Sequence, residues 1–145
     1  MVIETNSAQE TFELGRQIGL AAKPGDVIGL RGDLGVGKTV FTQGVAAGLG
    51  IAGPVSSPTF TIVQTYDEGR LPLYHFDVYR IGDVTEMDEI GFDDYVFGDG
   101  LSLIEWADLI EEILPEQTSF VCIEKDPEKG VDYRKITITQ EADER

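Results

Sequence analysis

The segment Gly32-Asp33-Leu34-Gly35-Val36-Gly37-Lys38-Thr39 constrains this chain more than any other. Two glycines with four residues between them, followed by Lys and Thr, fit the phosphate-binding loop pattern G-x-x-x-x-G-K-T. The preceding run Val27-Ile28-Gly29-Leu30 reads as a buried strand, and residues 40–49 read as the helix that follows. In that context successive backbone N–H groups converge on an anion, and the positive end of the helix favours it. Nucleotide contacts are therefore expected from Asp33, Leu34, Gly35, Val36, Gly37, Lys38, Thr39 and Val40. Lys38 is expected to reach the β- and γ-phosphates and to serve catalysis there, and the Thr39 hydroxyl to be a ligand of Mg²⁺.

At 145 residues the chain suits a single domain, 1–145, with a hydrophobic core. Its 27 acidic residues against 11 basic ones give a net charge of -16. Such a surface repels phosphate backbones, which argues against unaided binding to nucleic acid or to an anionic membrane. Cys122 is the only cysteine, so no intrachain disulfide can form, and its apolar surroundings Phe120-Val121-Cys122-Ile123 suggest a buried structural thiol. No basic region followed by an apolar stretch opens the chain, and no run approaches a membrane span, so a cytoplasmic protein is expected.

Along the chain, residues 7–22 have helical character with Ser7 as N-cap, although Gly15 and Gly19 weaken it; this helix is expected to pack on the sheet. Beyond the helix at 40–49 lies the hydroxyl-rich stretch Ser56-Ser57-Pro58-Thr59-Phe60-Thr61. It is either a plain loop or a segment that carries the hydroxyl of Thr59 or Ser57 to the γ-phosphate and metal. Residues 60–66 and 71–81 read as the strands of a hairpin. Alternation places His75, Asp77 and Tyr79 on one face of the second strand, as a hydrogen-bonded polar cluster or with Asp77 turned toward the phosphates to orient a water. Residues 82–100 mix carboxylates with large apolar side chains, which suits a solvated face or a docking surface; Thr85 could cap a short helix that Gly91 interrupts.

Leu101-Ser102-Leu103-Ile104-Glu105 is an apolar strand ending in a carboxylate, as in the Walker B element whose acid lies by Mg²⁺. Here the acid is Glu and not the usual Asp, a longer reach. Trp106 is either core or a wall of the site, and residues 107–114 make a short helix stopped by Pro115. The last two strands, 118–124 and 133–139, are joined too tightly for a crossover and should be antiparallel. Arg134 opens the last one, either as a surface charge or as a nucleotide contact. No Asn/Thr-Lys-x-Asp guanine-reading motif is present, since Glu124-Lys125-Asp126 has the wrong spacing, so ATP is favoured over GTP.

With those residues in place the sequence resembles the TsaE family, P-loop ATPases of tRNA threonylcarbamoyladenosine biosynthesis. The resemblance rests on 32–39, Ser57-Pro58-Thr59-Phe60-Thr61, His75-Phe76-Asp77-Val78-Tyr79-Arg80 and Ile104-Glu105-Trp106. It implies an α/β, three-layer P-loop NTPase-like domain whose sheet is mostly parallel with antiparallel C-terminal strands. It also implies ATP with Mg²⁺, the metal held by Thr39 and Glu105, with Asp77 acting in hydrolysis. The implied partners are TsaD and TsaB, which make the threonylcarbamoyl transfer themselves, and the implied ATPase is slow alone. A non-hydrolysing, nucleotide-gated adaptor is the alternative.

Overall fold

The computed structural model describes residues 1–32, 37–55 and 62–140. In chain order these form β1 (Val2–Thr5), α1 (Ala8–Ala21), β2 (Val27–Arg31), α2 (Lys38–Gly48), β3 (Val63–Tyr66), β4 (Leu73–Asp77), α3 (Thr85–Glu89), α4 (Phe92–Val96), β5 (Leu101–Glu105), β6 (Ser119–Lys125) and β7 (Arg134–Gln140). Short 3-10 helices cover Ala107–Ile113 and Pro127–Lys129. No helix among the described residues is long and apolar enough to cross a membrane.

One sheet holds seven strands in the order β1-β7-β6-β2-β5-β4-β3. Its centre, β6-β2-β5-β4, is parallel. The pairs β1–β7, β7–β6 and β4–β3 are antiparallel. The expected mostly parallel sheet is therefore corrected: it is evenly mixed, with a parallel centre and antiparallel edges on both sides. The antiparallel β6–β7 pair and the β3–β4 hairpin are as the sequence suggests. The addition is β1, whose four residues are too few to show an alternation.

Alternation in the strands builds two cores. Ile28 and Leu30 of β2, Leu101 and Leu103 of β5, and Val121 and Ile123 of β6 face one side, where Phe41 and Val45 of α2 and Leu49 just past its end cover them. Val27, Ile104 and Phe120 face the other side, packed with Phe76, Met87, Phe92, Val96 and Ile110. Helices lie on both faces, so the three layers hold. Each fully buried side chain of this kind contributes roughly 1.5–3 kcal/mol by leaving water.

Helix α1 starts as expected, the Ser7 hydroxyl accepting the Glu10 amide at 3.1 Å. Its main neighbour, however, is α2 rather than the sheet. Gly15 and Gly19 meet Gly44 and Gly48 with the two backbones in direct contact: a Cβ on Gly44 would lie 2.1 Å from the Phe12 carbonyl oxygen, and one on Gly19 2.2 Å from that of Val45. The glycines that lower helix propensity are the ones that let the helices touch. Arg70, in the β3–β4 connection, closes the other end of α1 by donating to the carbonyls of Gly19, Leu20 and Ala22 at 2.7–2.9 Å.

Four local expectations change. The strand expected over 71–81 ends at Asp77, because the chain turns there, Ile81 N–H donating to the Val78 carbonyl. Thr85 is not a cap; its amide instead donates to Asp83. The helix expected over 107–114 is a 3-10 segment broken at Ile110, and Cys122 is only half-buried.

Candidate functional site

The parallel strands β2, β4 and β5 end side by side, and the sequence places an informative residue at or just past each end. Register pairs Leu30 with Glu105 and Asp77 with Glu105. Ligands of open α/β sheets gather at such carboxyl ends. Glu105 shares the strand parity of Leu101 and Leu103, and His75 and Asp77 share that of Leu73; all of these belong to the side covered by α2. Backbone alternation alone thus turns His75, Asp77 and Glu105 toward the helix that begins with Lys38.

Helix α2 begins at Lys38, two residues earlier than the apolar pattern suggests. Gly37 precedes it in the left-handed region at φ 103°, and no side chain among the described residues caps the helix. A helix start of that kind leaves backbone N–H groups for an external acceptor. Lys38 is only 6% exposed, and its ammonium sits over the Trp106 ring at 4.4 Å. It makes no ion pair with another described residue. A buried ammonium is costly without an opposite charge, and a cation–π contact offsets only about 2 kcal/mol of that cost.

Trp106 is half-buried against Lys38. It has φ 63°, the only positive φ of any non-glycine residue described, and this turns the chain sharply after Glu105. Its ring also packs on Tyr79, with centroids 4.8 Å apart. Beside it opens a cavity of about 480 Å³ lined by Leu30, Arg31, Gly32, Lys38, Trp106, Asp108 and Glu111. Glu105 is buried and pairs with His75, Nε2 to Oε2 at 2.8 Å. Asp77 accepts the Tyr79 amide at 3.1 Å, which pins the turn leaving β4.

Of the residues singled out in the sequence, Lys38 and Trp106 line this cavity together, and Glu105 and Asp77 lie paired at the adjoining strand ends. Thr39 is exposed on the first turn of α2. Gly37, Val40 and Arg134 line a separate small cleft of about 60 Å³ with Ala8, Thr11 and Asp132. Arg134 Nε lies 3.9 Å from where a Gly37 Cβ would be, and its guanidinium donates to the Val131 and Tyr133 carbonyls. Tyr79 is not on the strand face with His75 and Asp77, since β4 has already ended. Asp33, Leu34, Gly35, Val36, Ser57 and Thr59 lie outside the described residues. Sequence reading missed Arg31, whose guanidinium lies 4.0 Å over the Phe120 ring and 3.6 Å from Glu111, and the His75–Glu105 bond. Only the His-x-Asp alternation hinted at the latter.

The residues fit a magnesium nucleotide. Among the described residues no group of three His, Cys, Asp or Glu could cage a metal. Mg²⁺ asks for less, one or two protein ligands with phosphates and water completing its shell. The buried Lys38 ammonium, the uncapped helix start and the buried Glu105 carboxylate match that demand.

The chain is similar to known proteins along most of its length. The model of the family "Threonylcarbamoyl adenosine biosynthesis protein TsaE" matches residues 5–136. A protein of Bacillus subtilis called "tRNA threonylcarbamoyladenosine biosynthesis protein TsaE" is 50% identical over 135 residues, 93% of this chain and 82% of its own length. One of the same name from Treponema pallidum is 43% identical over 79% of this chain and 84% of its own. The crystal structure of Bacillus subtilis YdiB superposes with a TM-score of 0.79 at 41% identity, covering 99% of this chain and 87% of that one.

Proposed function

The chain belongs to the TsaE family, and on that premise we propose that it is a Mg²⁺-dependent P-loop ATPase of tRNA threonylcarbamoyladenosine formation. In this reading it works with TsaD and TsaB and leaves the group transfer to them. The observation that carries it is Lys38: a buried ammonium at the start of an uncapped helix, beside a cavity and next to the strand end bearing Glu105. Segment 32–39 and the first turn of α2 hold the phosphates, Lys38 takes the charge of the β- and γ-phosphates, and Thr39 and Glu105 hold the metal. Mg²⁺, held by those two residues, would supply positive charge against the phosphates. Asp77, beside Glu105 and fixed by the Tyr79 amide, orients the attacking water. Trp106 walls the site, and Thr59 and Arg134 contact the nucleotide.

A charge of -16 supports an accessory role, because the chain is ill suited to gripping tRNA by itself. The test is phosphate release from Mg·ATP by the protein alone and with purified TsaD–TsaB. Slow turnover alone and faster turnover with the partners is expected; no nucleotide binding, or no complex, would overturn the reading.

A further inference from the structure

A glutamate at the end of β5 carries one more torsion than an aspartate, so its carboxylate has to be fixed in place before it can serve as a ligand. His75 does this. It lies on β4 one step behind Asp77 and beside Leu103 in the parallel register, on the face shared with Glu105. It is 1% exposed, Glu105 is 7% exposed, and Nε2 lies 2.8 Å from Oε2. A carboxylate only accepts, so the bond requires the proton on Nε2. We propose that His75 is a positioning residue whose Nε2–H holds Glu105 Oε2 and thereby presents the carboxylate to the metal. This rests on the nucleotide reading above. The physical reason is general: ligating side chains are oriented by the groups behind them, and losing such a partner weakens metal affinity about 10–100-fold.

His75 is the only histidine in the chain, so its imidazole signals are unambiguous in nitrogen–proton correlation spectra. The protein without nucleotide is expected to show a proton on Nε2, with a resonance that moves in Glu105→Gln. Protonation on Nδ1 alone would overturn the contact. For the metal, free Mn²⁺ is followed by electron paramagnetic resonance during titration in the presence of a non-hydrolysable ATP analogue. His75→Asn, too short to reach Glu105, is expected to raise the half-saturating Mn²⁺ about tenfold, and His75→Gln, whose amide can reach, by less than about threefold. Equal Mn²⁺ affinity in wild type and a folded His75→Asn protein would overturn the role, as would a Gln variant as weak as the Asn one. Wild type that takes up no Mn²⁺ with the analogue would instead overturn the nucleotide reading, and this role with it.

Discussion

Gly44→Ala is the sharpest probe of how the fold positions the site. The added methyl would lie 2.1 Å from the Phe12 carbonyl oxygen, 3.0 Å from its carbon and 3.1 Å from the Arg16 nitrogen, where 3.4 Å is ordinary contact. All three atoms are backbone, so no side chain can swing away and α1 and α2 must separate by roughly 1 Å. Alanine favours the helix over glycine by about 1 kcal/mol, while overpacking costs about 1–3 kcal/mol and, against unyielding backbone, falls at about 2–3 kcal/mol, so a net loss of about 1–2 kcal/mol is expected. Urea unfolding measures it. Gly53→Ala is the control, because a Cβ there meets only the Glu68 carboxylate at an ordinary 3.6 Å. Displacing α2 also displaces Lys38 from Trp106, the only tryptophan, so its emission should change in Gly44→Ala and not in the control. A Gly44→Ala protein as stable as wild type would refute the packing argument.

Arg70→Met removes the donor to three carbonyls at the end of α1 and should lower stability by about 1–3 kcal/mol in the same urea assay; wild-type stability would contradict it. Asp77→Asn should leave Mg·ATP binding intact while hydrolysis with TsaD–TsaB falls at least about 100-fold, whereas persistence of function would favour the nucleotide-gated adaptor. The hydrogen bond from Tyr133, helped by Lys129, holds the Glu4 carboxyl below its ordinary value. That carboxylate's contribution to stability is therefore present at neutral pH and lost as pH falls through the lowered value. Tyr133→Phe should move the Glu4 titration upward, followed by carboxyl carbon resonances; an unmoved titration would contradict the assignment.

Strands β2 and β5 were legible as mainly apolar segments, each next to a residue of recognisable chemistry, while their parallel pairing was implied only by the family resemblance. The helix seam was not, since Gly15 and Gly19 lower propensity locally and show their use only against Gly44 and Gly48, about thirty positions away. β1 escaped for the same kind of reason: its four residues gain meaning from pairing with β7 at the far end of the chain. In the site, Lys38, Asp77 and Glu105 each stood out by motif. The bond between His75 and Glu105 depends on the order of β4 and β5 in the sheet, which spacing does not encode. The turn at Trp106 is likewise invisible in sequence, because a positive φ at tryptophan runs against local preference.

The most direct test of the nucleotide site is titration with Mg·ATP while following Trp106 emission. Phosphate binding draws the Lys38 ammonium off the indole, so wild type should give a saturable change that Lys38→Ala lacks and that GTP elicits less strongly. No change in wild type, confirmed by calorimetry that detects no binding, would contradict the assignment of this cavity to a nucleotide.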